Sequence, residues 1–309
     1  MAGTLKTGAG AAGAERADGT SPGETPDSFG PVGVVGAGEI GVGVAADLAL
    51  HGFRVVLTDE DRARLAAAAT KAAEIIRIAP MLRPGFPAAP PAAAEAVTFV
   101  TGSGELAGCR FVIENVTERR EAKRAAHRAL DAVLPEDTVV AVNTSSIPIG
   151  EIASETSRAE HMIGMHFMNP PYLTSAVEVM RPAAASARTL GRVETLARLL
   201  RKKTIVVGDF PGFVSNRISH VFFNEAARVV AEHGVPPEIV DQVFRDCFGH
   251  RMGPLRTADL IGLDTVVDTL DRLREATGDP RFDSCALLRS MVGEGRLGRK
   301  TASGFYTYE

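Results

Sequence analysis

The sequence has no tryptophan, only three tyrosines and three cysteines, and no apolar run of the roughly 20 residues that a bilayer crossing requires. The cysteines, Cys109, Cys247 and Cys285, are odd in number and far apart. That excludes a disulfide framework or a zinc cluster, fits a reducing cytoplasm, and leaves them as small hydrophobes. Neither sign of charge dominates: 34 Lys+Arg stand against 38 Asp+Glu, for a formal charge of -4. This balance gives no electrostatic reason to bind nucleic acid or an anionic membrane. Large apolar side chains are almost missing from residues 1–28, so this stretch is expected to be a disordered tail. It lacks the apolar centre of a secretory signal, and Glu15, Asp18, Glu24 and Asp27 do not suit an organelle transit peptide.

What is present is enough chain for about two domains: 309 residues, at roughly 150 per domain. Short apolar runs predict strands at Val32–Val35, Arg54–Asp59, Val97–Val100, Phe111–Glu114, Thr138–Asn143, Met162–Phe167, Ala176–Met180 and Thr204–Val207. Helices are expected between them at Glu39–His51, Arg62 to about Ile78, Arg119–Val133 and Ala187–Lys202. Prolines 80, 84, 87, 90 and 91 predict a loop over Pro80–Pro91. Strand and helix in alternation predict an α/β fold, a doubly wound parallel sheet covered on both faces. From Pro211 the pattern is helical only: Phe213–His233, Pro236–Phe248, Leu255–Leu260, Leu263–Ala276 and Ser284–Glu294. A boundary is therefore expected near residue 209, with a nucleotide-binding unit over 29–209 and an all-helical one over 210–309.

Gly36-Ala37-Gly38-Glu39-Ile40-Gly41 has the G-x-G-x-x-G spacing between a predicted strand and a predicted helix. Gly36 permits the tight turn, Gly38 lets a pyrophosphate approach the backbone, and Gly41 lets helix and strand pack closely. The free N–H groups and positive dipole end of the helix then face the phosphates. Asp59, ending the next strand, can accept bonds from the adenosine ribose hydroxyls and would repel a 2′-phosphate, which favours NAD over NADP.

Five further motifs follow in order: Asn143-Thr144-Ser145-Ser146, Gly164 to Pro170, Val177-Glu178-Val179, Pro211 to Arg217, and Gly298 to Tyr306. With them the chain resembles the 3-hydroxyacyl-CoA dehydrogenase family over residues 31–309. The resemblance implies a Rossmann-like domain followed by a helical domain that dimerises, and hydride transfer between NAD and carbon 3 of an acyl thioester. It implies that His166 is the catalytic base, that Glu178 is the carboxylate paired with it, and that Ser145 and Asn216 position the substrate. It places Glu118, Lys123, Asn169 and Lys300 near the nicotinamide half of the cofactor. Asn143 and Ser145 join them as cofactor residues, beside Gly36, Gly38, Glu39, Ile40, Gly41 and Asp59.

The residue types suit that chemistry. Oxidising an alcohol needs a base for the hydroxyl proton, and a neutral imidazole titrates near the working pH. A carboxylate at its other nitrogen fixes the tautomer and stabilises the imidazolium, and Glu178, inside an apolar strand, needs such a partner. The other histidines (51, 127, 161, 220, 233, 250) read as structural. His161 and His166 lack the ligand spacing and the carboxylate cluster of a metal site.

Two departures from the family pattern stand out. The helix after the second strand is dominated by alanine, with Arg62, Arg64, Lys71 and Arg77 as its basic residues and Arg83 beyond it. After Phe167 the chain reads Met-Asn-Pro-Pro-Tyr-Leu. Both resemble a side branch acting on acyl-carrier-protein thioesters, such as glyceryl or seryl groups in polyketide extender-unit assembly. The partner is therefore expected to be an acyl thioester on CoA or on a carrier protein, with no nucleic acid and no membrane. Three other readings compete: a 3-hydroxyacid dehydrogenase with a catalytic lysine, a non-catalytic NAD-binding or crystallin-like protein, and a hydrolase built on Ser145 and His166. The helix after Pro211 carries no lysine in its first turns, and the serine does not sit on a G-x-S-x-G elbow.

Overall fold

The computed structural model describes residues 23–82 and 92–309. The expected tail over 1–22, Arg83 and most of the proline-rich loop lie outside the described residues. The elements begin with α1 (Pro26–Phe29), β1 (Val32–Val35), α2 (Glu39–Leu50), β2 (Val55–Thr58), α3 (Arg62–Leu82) and β3 (Val97–Val100). They continue with β4 (Phe111–Glu114), α4 (Arg120–Val133), β5 (Val139–Val142), α5 (Ile149–Ala153), β6 (Met162–His166), β7 (Ala176–Arg181), α6 (Ala187–Leu199) and β8 (Lys203–Gly208). Helices alone follow: α7 (Phe213–His233), α8 (Pro237–Phe248), α9 (Pro254–Ile261), α10 (Leu263–Thr277) and α11 (Ala286–Gly293).

The eight strands form one sheet in the order β3-β2-β1-β4-β5-β6-β7-β8. Strand order reverses between β1 and β4, which opens a crevice at the carboxyl ends of the strands, where dinucleotides bind in such sheets. The first six strands are parallel, Rossmann-like, and buried on both faces in the centre. Val34, Ile113, Ala141 and Ile163 pack with α2, α3 and α6, while Val112, Val140 and Val142 pack with α4 and α5. A separate core, built around Phe223, Leu255, Leu263, Leu270 and Phe282, holds the helices after β8 together.

The structure corrects four expectations. The sheet is not wholly parallel: β7 runs antiparallel to β6, and β8 follows it. The 167–175 connection is too short for the crossover of a dozen or more residues that a parallel return needs. Nor is the sheet covered throughout, since Ile205 and Val206 on the edge strand β8 are 49% and 44% exposed. The helix α3 carries on through Pro80 to Leu82. A proline that close to the carboxyl end disturbs few backbone bonds, and the buried Ile75, Ile76 and Ala79 hold the last turns in place. Finally, residues 25–28 are not a disordered tail. Thr25 and Ser28 form a reciprocal capping box on α1, and Phe29 is buried edge-on against Phe53 with the Arg192 guanidinium over its ring.

Candidate active site

The glycine turn after β1 has the geometry a dinucleotide needs. Gly36 has φ +96°, and a Cβ there would come within 2.6 Å of the Asn115 carbonyl oxygen. A Cβ on Gly41 would fall 1.9 Å from the Gly36 oxygen, so both positions exclude any side chain. A Cβ on Gly38 would meet nothing, because Gly38 caps α2 at the mouth of the crevice. Open space over a helix N-terminus is where a pyrophosphate fits.

Asp59 closes one end of this site. Its Oδ2 accepts the Ala37 N–H at 2.8 Å, and its Oδ1 accepts that of Asp61 at 2.9 Å. Burial works against its charge, but the two amides and Arg64, 3.3 Å away, hold the carboxyl below its ordinary value. Glu39, in the first turn of α2, accepts a bond from the Asn169 side chain at 3.0 Å, which ties the loop after β6 to the glycine turn.

The loop after β5 is shaped by Glu118. One of its oxygens, Oε1, accepts from the Thr144 hydroxyl at 2.6 Å and from the amides of Ser145 and Ser146 at 3.0 Å. Asn143 bridges its neighbours, donating to Asn115 at 2.8 Å and accepting from the Phe167 amide at 3.1 Å. Lys123 lies beneath this loop and is completely buried. It donates to Glu114 at 2.9 Å and to the Asn143 carbonyl at 3.0 Å, while His127 lies 3.1 Å from the same carboxylate. Burial opposes the Glu114 charge, but Lys123 and His127 outweigh it and keep the carboxyl below its usual range. Lys300 stands apart: it lies beside Gly262 and pairs with Asp264 at 2.5 Å.

His166 and Glu178 are register partners across the antiparallel pair β6–β7, so their side chains share one face of the sheet. The ring Nδ1 lies 3.1 Å from Glu178 Oε2, and both residues are 6% exposed. On the other side of the ring, Nε2 lies 3.4 Å from the Ser145 hydroxyl. Two donors at the start of α7 complete the carboxylate: the Val214 and Ser215 amides give to Oε1 at 3.0 and 3.1 Å. Burial opposes the charge on Glu178, but its bonds from His166 and Ser215 hold the carboxyl below its ordinary value.

The chain aims these amides by a local contortion. Gly212 and Phe213 are both left-handed, at φ +74° and +51°, and Phe213 is wholly buried in the core beside α4 and α5. A left-handed phenylalanine costs on the order of 1 kcal/mol or more, which the packing of its ring offsets. Asn216, next on α7, donates to the Ser145 carbonyl at 2.6 Å.

The structure thus gathers His166, Glu178, Ser145 and Asn216 into one cluster and lines the crevice with Gly36, Gly38, Ile40, Gly41 and Asp59. Sequence reasoning missed Ser215, whose hydroxyl is 2.5 Å from Glu178 Oε2. It lies inside the Pro211–Arg217 motif, with no periodicity or spacing to mark it. Among the described residues there is no group of three or more His, Cys, Asp or Glu able to hold a metal ion, and no helix long and apolar enough to cross a membrane.

Residues 31–210 match the family model described as 3-hydroxyacyl-CoA dehydrogenase, NAD binding domain, and residues 212–308 match that of the 3-hydroxyacyl-CoA dehydrogenase C-terminal domain. The chain is 38% identical over 279 residues to a probable 3-hydroxybutyryl-CoA dehydrogenase of Deinococcus radiodurans, covering 89% of this chain and 99% of that one. It is 45% identical over 199 residues to a probable 3-hydroxybutyryl-CoA dehydrogenase of Bacillus subtilis, covering 64% of this chain and 69% of the relative. Among solved structures, the (S)-3-hydroxybutyryl-CoA dehydrogenase of Ralstonia eutropha superposes with a TM-score of 0.83 at 36% identity, over 91% of this chain and 100% of that one.

Proposed function

The chain belongs to the 3-hydroxyacyl-CoA dehydrogenase family and is an NAD-dependent oxidoreductase, and from that premise we propose that it interconverts short-chain 3-hydroxyacyl-CoA and 3-oxoacyl-CoA through a His166–Glu178 pair. The observation that carries the assignment of roles is the 3.1 Å contact of His166 Nδ1 with Glu178 Oε2. Bound NAD supplies the hydride acceptor for carbon 3. His166 Nε2 takes the hydroxyl proton as the hydride leaves, and returns it in the reverse direction. Glu178 keeps the proton on Nδ1 and stabilises the imidazolium. Ser145 and Asn216 set the position of the substrate oxygens. Glu118 and Asn143 hold the Ser145 loop in place, and Lys123 acts on the cofactor site through them. Asn169 borders the nicotinamide half and is tied to Glu39 in the first turn of α2.

The 3-hydroxybutyryl-CoA dehydrogenases among its relatives support CoA as the carrier and an acyl group of about four carbons. The intact cluster favours catalysis over a structural role. We further propose that residues 29–209 form the cofactor unit and 210–309 the helical unit, that the protein is cytoplasmic, and that it pairs through its helices. Support for pairing comes from an apolar groove of about 250 Å³ between α7 and α8, lined by Phe222, Val229, Ile239 and Val243. Nearby, Phe248 is 67% exposed and Ile218 is 64% exposed.

The deciding assay is NADH oxidation with acetoacetyl presented on CoA and on an acyl carrier protein, with molar mass by light scattering. Turnover on CoA and a mass of two chains support this reading. Turnover only on the carrier protein overturns the carrier, and a mass of one chain overturns the pairing.

A further inference from the structure

We propose that Ser215 is a positioning residue of the His166–Glu178 pair: its hydroxyl clamps Glu178 Oε2 against the Nδ1 side of the imidazole, so that Nε2 is left as the base. The inference rests on the reading of that pair as the catalytic one.

Glu178 has four hydrogen-bonding partners, and Ser215 supplies two of them. Its amide gives to Oε1 at 3.1 Å and its hydroxyl to Oε2 at 2.5 Å, while Val214 N and His166 Nδ1 supply the others. A serine has a single hydroxyl proton, and the short contact with the carboxylate commits it there. The lone pairs of Oγ then face His166 Nδ1, 3.3 Å away. Nδ1 therefore looks onto two acceptors, Oε2 and Oγ. Only the tautomer with its hydrogen on Nδ1 satisfies both, and a bare Nδ1 would set three lone pairs against one another. The hydrogen is thus fixed on the Glu178 side, and Nε2, beside Ser145, is the nitrogen that accepts a proton.

The clamp also moderates the pair. A donor shared with Oε2 draws charge away from the imidazole, so the carboxylate holds the imidazolium less tightly than it would alone. Without the hydroxyl, Oε2 keeps only His166 as a partner. The imidazolium becomes more stable, and the free base is restored at higher pH. The ring also loses one of its two contacts on the Nδ1 side. Because Ser215 lies in the first turn of the helix that carries Asn216, the same residue couples the geometry of the pair to that of the substrate-positioning side chain.

The test compares Ser215→Ala, Ser215→Val and Ser215→Thr, the last two nearly equal in shape and different in the hydroxyl. The readout is the pH profile of kcat/KM for oxidation of 3-hydroxybutyryl-CoA by NAD, with NADH binding by fluorescence confirming a folded cofactor site. Expected is an acid limb displaced upward by about 0.5–1 pH unit in the alanine and valine variants, with kcat about tenfold lower and KM little changed. The threonine variant is expected to follow the wild type. Alanine and valine profiles that overlay the wild type, or a threonine variant that behaves as valine does, overturn the inference. A His166→Gln variant run beside them separates the two levels: full activity there overturns the pair itself. An inactive His166→Gln with unmoved Ser215 variants overturns only the clamp.

Discussion

Asn216 gives its side-chain N–H to the carbonyl oxygen of Ser145 at 2.6 Å, across 71 residues of sequence. Ser145 is thereby held from both ends, since its own amide gives to Glu118. Asn216→Ala frees the carbonyl end of that loop and displaces the serine hydroxyl from His166. A misplacement of about 1 Å costs about 10²-fold in rate. Steady-state kinetics of Asn216→Ala should show that loss in kcat/KM, with NADH affinity unchanged by fluorescence titration.

Replacing His166 by Gln removes the proposed base and keeps a polar side chain of similar size. General-base catalysis contributes about 10²–10⁴-fold, and kcat should fall by that amount with the cofactor still bound. Glu178→Gln should cost about 10²-fold or more, because an amide N–H in place of Oε2 turns the imidazole to the wrong tautomer. A wild-type pre-steady-state hydride transfer rate in either variant would contradict the roles given to them.

In the proposed cofactor site Asp59 faces the adenosine ribose. Its low titration range keeps it charged through the neutral region, so NAD affinity should be flat from pH 6 to 8 as far as this group is concerned. Asp59→Asn should raise the KM for NAD about tenfold, equivalent to roughly 1.4 kcal/mol, and narrow the preference over NADP. Parallel titrations with NAD and NADP measure both effects.

Lys123 distinguishes a structural cation from a ligand-facing one. It is completely buried against Glu114. Lys123→Met takes the lysine cation from that carboxylate and leaves it only His127 and the Val116 amide as partners in the interior, a change that costs about 3–5 kcal/mol. Urea unfolding should report it as a lower midpoint. A variant with wild-type stability and weakened NADH binding would show instead that the lysine acts on the cofactor directly.

His220, on the buried face of α7, is pushed down to about 4 by burial, with the nearby His166 adding to the effect and the Asn216 carbonyl opposing it. Above pH 6.5 the group is neutral in both folded and unfolded chains and its contribution to stability is constant. As pH falls from 6.5 towards 4, the unfolded chain takes up a proton that the folded one refuses, and stability is lost. The loss amounts to about 3 kcal/mol over that window. His220→Leu removes this part of the pH dependence, so the difference between urea midpoints at pH 7 and pH 4.5 should shrink in the variant.

Much of this was written in the sequence. The alternation of strand and helix, the glycine turn with Asp59 after the next strand, and the change to helices at Phe213 are local features, set by residue type and period. Gly41 is compulsory because a Cβ would strike the Gly36 oxygen. The resemblance, carried by ordered motifs, named His166 and Glu178. What it could not supply was how they meet. They meet because β7 returns beside β6 and puts the two in register. Lys123 looked like a residue for the cofactor, and only the packing of β4, α4 and the loop after β5 shows it enclosed beneath the site. Ser215 carried no signal of its own. Its role depends on a left-handed turn at Gly212 and Phe213 that brings the first amides of α7 to a carboxylate 37 residues earlier. Local chemistry is fixed by neighbours in sequence, whereas the surroundings of a buried charge are fixed by whichever segments fold against it.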